Sequence, residues 1–188
     1  MSNLAYIDPP ITEVLDGKVV AMSPAYVRHN NVAFNIASIF RRYLKGKACR
    51  VLPDGNKVYL SKRDIVVPDV MIVCNKDIIK DNGVHGAPDL VVEVLSISTS
   101  KRDRGYKKNL YEKHGVKEYW LVDIKNREVE VHLLKNGRFE LDNVYSIYPD
   151  WMLEKMTDEE RAEVPMEFTI SLFDDIIISI EEVFEDIM

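Results

Sequence analysis

The chain has 188 residues, 46% hydrophobic and 30% charged, a globular composition with ample apolar content for a packed core that excludes a disordered chain. Its net charge of −6 argues against a generic, tight nucleic-acid binder, because non-specific affinity comes mainly from Lys and Arg neutralising phosphates. Cys49 and Cys74 are too few and too scattered for a disulfide framework or a zinc site, and no apolar run approaches the roughly 20 residues of a membrane helix, so the expectation is a soluble, reduced, cytoplasmic protein.

The opening MSNLAYIDPPITEV lacks a basic segment followed by an apolar run, so no targeting leader is expected. ITEVLDGKVVAM reads as a hairpin around Asp16-Gly17, a dipeptide that supplies the positive φ angles of a tight turn. From about Tyr26 to Lys45, Val32, Ile36, Ile39, Phe40 and Tyr43 recur at three- and four-residue spacing, predicting a helix stopped by Gly46. CRVLP, KVYL and IVVPDVMIV then read as strands, and NKDIIKDNGVHGAPD as an irregular link. Residues 89–95 form a further strand. A Ser/Thr-rich turn follows, then a helix from about Lys101 to His114 stopped by Gly115. EYWLVDI, REVEVHLL and RFELDNVYSI are three more strands, 150–165 is a helical excursion, and the chain closes with a strand and a short helix. No repeat or linker divides residues 1–188, which read as one domain of mixed α/β (α+β) class. Positive charge collects at 40–50 and 100–108 despite the acidic total.

Glu93 interrupts a run of Val and Leu that otherwise reads as a buried strand. A lone ionised carboxylate in an apolar layer is costly unless a cation or hydrogen-bond donors meet it. Strand alternation puts Asp89, Val91, Glu93 and Leu95 on one face. The same rule applied to VVPDVMIV puts Asp69 on a face with Val67 and Met71. On the helix, about 100° per residue gathers Asp103, Lys107, Leu110, Tyr111 and His114 into one stripe and turns Lys108 toward water. A helix that follows the Glu93 strand packs back on the sheet, so an inward Lys107 can reach Glu93. Two carboxylates with an ammonium nearby suit metal-assisted phosphodiester hydrolysis. Carboxylates hold a hard cation such as Mg²⁺ or Mn²⁺, and Lys steadies developing negative charge.

Pro68-Asp69 followed 24 positions later by Glu93 resembles the PD-(D/E)xK pattern of restriction-endonuclease-like nucleases, except that Leu95 stands where its Lys belongs. In a subset of that superfamily the Lys lies on the next helix, and PDLVVEVLSISTSKRDRGYKKNLYEKHGVKEYWLVD is similar to the Uma family of such nucleases. That family shows PDLVVEVLSPST, then D-x-x-x-K-x-x-x-Y, then GVxEYWLVD. The likeness runs from the DGK hairpin through EYWLVDI and is strongest between Val67 and Asp123; Ile97 departs from the usual Pro, and 150–165 from the usual short connection. The resemblance implies a restriction-endonuclease-like central sheet flanked by helices. It further implies Asp69 and Glu93 as metal ligands, Lys107 as the relocated catalytic Lys, and Asp103 and Tyr111 as flanking members of its helical face.

Glu13, beside the first hairpin, is a further candidate ligand; its plainer reading is a solvated strand residue. Lys101, Arg104 and His29 are candidate substrate contacts, with Arg102 in the same charge run, against the plainer reading of solvated side chains. Asp89 reads as structural, and Tyr119, Trp120 and Phe139 as core or interface. The leading expectation is a Mg²⁺- or Mn²⁺-dependent endonuclease acting on DNA, homodimeric if it cuts both strands. The alternative is a catalytically inactive nuclease-fold binding or regulatory module. A glycosidase-like use of the acid pair leaves Lys107 without a role.

Overall fold

The computed structural model describes residues 11–22 and 24–187; the reading of the chain's opening residues as leaderless falls largely outside them. The first hairpin forms as its turn chemistry dictates. Strands β1 (Thr12–Leu15) and β2 (Lys18–Ala21) are joined through Asp16 at φ 51° and Gly17 at φ 77°. Helix α1 (Val27–Tyr43) buries Val32, Ile36, Ile39 and Phe40 of the expected stripe together with Ala33, while Tyr43 is half-buried.

The next strands are β3 (Arg50–Pro53), β4 (Val58–Tyr59), β5 (Ile65–Val66) and β6 (Val70–Val73). The apolar run 65–73 is thus two strands in different sheets, and Asp69 lies in the break between them rather than on a strand face with Val67 and Met71. The physical cause is local. Pro68 has no N–H to give a ladder, and the Val67 N–H is taken by the Glu13 carboxylate at 3.0 Å.

The link 75–88 holds a single 3₁₀ turn (Lys76–Ile78) and two-residue strands β7 (Ile79–Lys80) and β8 (Gly83–Val84). Strand β9 (Leu90–Val94) is buried along its whole length. It leads into α2 (Ser100–Arg102), a π-helical turn (Asp103–Lys107) and α3 (Lys108–Lys113), then into β10 (Glu118–Asp123). Strands β9 and β10 pair in parallel, which is why a helical crossover must join them. Strands β11 (Glu128–Lys135) and β12 (Arg138–Ser146) complete a six-stranded sheet of order β12-β11-β10-β9-β6-β3. The other six-stranded sheet runs β2-β1-β5-β4-β8-β7.

The excursion at 150–165 contains α4 (Asp150–Leu153) and α5 (Asp158–Ala162), the latter with a Thr157–Glu160 capping box. The expected single closing strand is instead a hairpin, β13 (Glu167–Ile170) with β14 (Phe173–Ser179), before helix α6 (Ile180–Val183). Its turn at Ser171-Leu172 carries no Gly, Pro, Asn or Asp, and Ser171 alone is a weak turn signal.

Two apolar cores lie on opposite faces of β9. Leu90, Val92 and Val94 join α1, Trp120 and the C-terminal hairpin. Val91 joins Met71, Val73, Leu110, Tyr111, Tyr119 and Leu121 against the other sheet. Glu93 shares the Val91 side by alternation.

Cys49 and Cys74 form a disulfide, correcting the expectation of two unpaired thiols. Each is the next residue along from the paired positions Arg50 and Val73 of antiparallel β3 and β6. A cross-strand partner 25 residues away is set by register, which the spacing of two cysteines cannot disclose.

Candidate active site: an acidic cluster around a buried lysine

Four chain segments converge where the two six-stranded sheets meet. Glu13 comes from β1, Asp69 from the break between β5 and β6, Glu93 from the end of β9, and Asp103 and Lys107 from the π-helical turn. The π turn has a geometric consequence. At 3.6 residues per turn, side chains four apart drift about 40° per step, and the wider i→i+5 turn takes back part of that drift. Asp103, Lys107 and Tyr111 therefore all present buried side chains to one place.

Lys107 Nζ lies 2.6 Å from Glu93 Oε1, 3.0 Å from Glu13 Oε1 and 3.9 Å from Asp103 Oδ1. Its side chain is only 2% exposed, and that of Glu13 is fully buried. The Tyr111 hydroxyl donates to the same Glu93 Oε1 at 2.7 Å. Arg102 Nη2 stands 3.6 Å from Glu13 Oε2. Asp69 Oδ2 accepts from the Val94 N–H at 2.6 Å, standing in for a ladder carbonyl where the β6–β9 pairing ends at Val70. His29 Nε2 lies 3.3 Å from that same oxygen. The Tyr119 hydroxyl donates to the Asp103 carbonyl at 3.0 Å.

These surroundings set the protonation states. Burial pushes the Glu93 carboxyl well above its ordinary range, and nearby Asp103, Asp69 and Glu13 add to the rise while Lys107 opposes it. Burial alone would lower Lys107, but Glu93, Glu13 and Asp103 outweigh it and hold the ammonium above its usual pKa. For His29 burial again acts downward and is overcome by Asp69, so its pKa is raised. Burial raises the Asp103 carboxyl, with Lys107 opposing.

Among the described residues no group of three or more His, Cys, Asp and Glu side chains forms a ready metal cage. The donor chemistry nonetheless fits Mg²⁺ or Mn²⁺. Mg²⁺ characteristically takes one or two carboxylates and fills its shell with water and substrate phosphate. The described contacts engage Asp69 through Oδ2 and Glu93 through Oε1, leaving the second oxygen of each. Glu13 Oε2 and Asp103 Oδ1 are buried without a hydrogen-bond partner among the described residues. The carboxylates of Glu13, Asp69, Glu93 and Asp103 outnumber Lys107 and Arg102, the lysine and arginine cations that face them.

The candidate residues are not all in this cluster. Asp69, Glu93, Lys107, Glu13 and His29 come together; Glu13 is not the solvated strand residue of its plainer reading. Lys101 points to solvent, and Arg104 pairs with Glu130. Lys108, expected to face water, is half-buried with Nζ 3.3 Å from His132 Nδ1, because β11 packs beside the helix. Asp89 accepts from the Cys74 N–H and Lys117 Nζ, both at 2.7 Å, a structural part. The basic run 40–50 lies at the far end of α1 from His29. Arg42 pairs there with Glu182, Lys47 with Asp175, and Arg50 donates to the carbonyls of residues 47–49. Sequence reasoning missed Asp54, whose carboxyl is raised by burial and by Asp69 and feels His29 and Lys107. An Asp before Gly55 reads as a turn former, and nothing local marks it otherwise.

Residues 7–159, which include every member of the cluster, match the Uma2 family model, described as "Putative restriction endonuclease". An uncharacterized protein of Synechocystis sp. is 30% identical over 155 residues, 81% of this chain and 75% of that one. The crystal structure of a "putative nuclease belonging to DUF820" from Anabaena variabilis superposes with a TM-score of 0.70 at 20% identity, over 93% of this chain and 90% of the other. That likeness shows a shared fold, and the expected restriction-endonuclease-like architecture is the one observed. With the family model spanning most of its length, the chain belongs to the Uma2 family.

Proposed function

We propose that this chain is a Mg²⁺- or Mn²⁺-dependent endonuclease that hydrolyses phosphodiester bonds of DNA, working as a homodimer of one-domain subunits. The observation that carries the reading is the convergence of Asp69, Glu93 and the buried ammonium of Lys107, within a family whose model is described as "Putative restriction endonuclease".

Asp69 and Glu93 would hold the cation, with Glu13 as a further donor through Oε2. When bound, the cation supplies Lewis-acid polarisation of a phosphoryl oxygen and activation of water. Lys107, whose pKa the neighbouring carboxylates raise, contributes positive charge where negative charge develops on the phosphoryl group. His29, whose pKa Asp69 raises against the opposing effect of burial, is placed to contact a phosphate oxygen or donate a proton to the leaving group. Arg102 offsets charge at Glu13, and Lys101 is free to meet the substrate backbone.

Two observations favour a second reading. Lys107 already pairs with both Glu13 and Glu93, and the cations of the 40–50 run are largely engaged in local contacts, as expected of a nuclease-fold binding module without catalysis.

Titration of Mn²⁺ into the wild type and Asp69→Asn/Glu93→Gln by calorimetry separates the two. Binding in the wild type that vanishes in the double variant, followed by Mg²⁺-dependent cleavage of single-stranded or duplex DNA, is the expected result. A wild type that neither binds Mn²⁺ nor cuts DNA in its presence sinks the endonuclease reading in favour of the module.

A further inference from the structure

We propose that Tyr111 is a positioning residue for Glu93. By donating its hydroxyl to Oε1 it holds the carboxylate with Oε2 open to a cation, and so sets the metal affinity of the site. This rests on the metal-dependent reading above.

Tyr111 is fully buried, and its ring packs on Tyr119 at a centroid distance of 5.3 Å within the core formed by Leu110, Val91 and Leu121. Apolar packing therefore fixes where the hydroxyl sits. It reaches Glu93 Oε1 at 2.7 Å, the same oxygen that Lys107 approaches at 2.6 Å.

Lys107 alone cannot orient that carboxylate. Its ammonium is a compact point charge on a flexible stem, and it is shared with Glu13 and Asp103. The terminal torsion of Glu is broad and roughly two-fold, so one cation leaves the carboxylate free to swing both oxygens toward Nζ. A second donor on Oε1 from a rigid ring removes that freedom. The expected consequence is the one typical of groups that orient metal ligands, a change in affinity without loss of the fold.

Tyr111→Phe keeps the ring packing and deletes only the hydroxyl. Tyr119→Phe is the matched control, because its equally buried hydroxyl bonds the Asp103 carbonyl and not a carboxylate. Calorimetry with Mn²⁺ on the full chain is expected to show the Kd of Tyr111→Phe raised about 10–100-fold, the range for outer-sphere partners of metal ligands. Tyr119→Phe should leave Kd at the wild-type value. Saturating Mn²⁺ should then restore the cleavage rate of Tyr111→Phe. A wild-type Kd in Tyr111→Phe overturns the proposal, as does equal weakening in both variants, which would indicate general loosening of the core. The metal reading itself fails in a different way, by the absence of Mn²⁺ binding in the wild type.

Discussion

Lys107 Nζ lies 2.6 Å from Glu93 Oε1, and solvent reaches almost none of either side chain. Removing two charges from water carries a penalty of several kcal/mol per ion, returned only where geometry and extra hydrogen bonds are good. Here Tyr111, Glu13 and Asp103 complete the arrangement. Stability and reactivity at this place consequently depend on the same few side chains.

Lys107→Ala should cost about 3–5 kcal/mol in urea denaturation without metal, because it leaves buried carboxylates uncompensated. Added Mn²⁺ should recover part of that loss, and DNA cleavage should be abolished while metal binding persists. Lys108→Ala should cost about 1 kcal/mol or less and retain cleavage, since Lys108 is half-buried beside His132 and outside the cluster. Equal loss of cleavage in the two variants would contradict the roles assigned to this helical face.

The His29–Asp69 pair should give the fold a pH dependence of defined sign. The folded pKa of His29 lies above its ordinary 6.5, so the pair's contribution is fully present below 6.5 and is lost as pH rises through the raised value. The stability difference between wild type and His29→Gln should therefore shrink on going from mildly acidic to alkaline buffer. A difference that grows with pH would refute the pairing.

Glu118 should anchor the C-terminal hairpin to the central sheet. Its buried carboxylate accepts from Trp120 Nε1 and the Ser171 N–H, both at 2.6 Å. Glu118→Ala leaves two donors unmet, at about 1–3 kcal/mol each. Amide exchange should accelerate selectively in β13 and β14, with β9 and β10 protected. Uniform acceleration across the sheet would argue against a local anchor.

The Cys49–Cys74 bond closes a loop with a sequence separation of 25. Chain-entropy reasoning puts its worth at about 3.5 kcal/mol. Cys74→Ala, or reductant applied to the wild type, should lower the urea midpoint to a similar degree. Identical midpoints with and without reductant would mean that the bond contributes nothing to stability.

Much of this architecture could be read from local sequence, and the reasons are local. Asp16-Gly17 marks its hairpin because few dipeptides tolerate two positive φ angles. The two faces of β9 follow from a period of two, and the inward stripe of α1 from a period of 3.6. A polar residue in an apolar run signalled that Glu93 needed a partner, and helix geometry pointed to Lys107 rather than Lys108.

What the tertiary structure decided was everything dependent on which distant segments pair. It divided 65–73 between two sheets, placed Glu13 in full burial against Lys107, and brought Asp54 toward Asp69. It also set Cys49 opposite Cys74 and turned the expected closing strand into a hairpin held by Glu118. Periodicity and turn chemistry act over a few residues and leave their mark on the chain itself. Register and sheet order arise from the collective burial of many side chains, so no single stretch of sequence carries them.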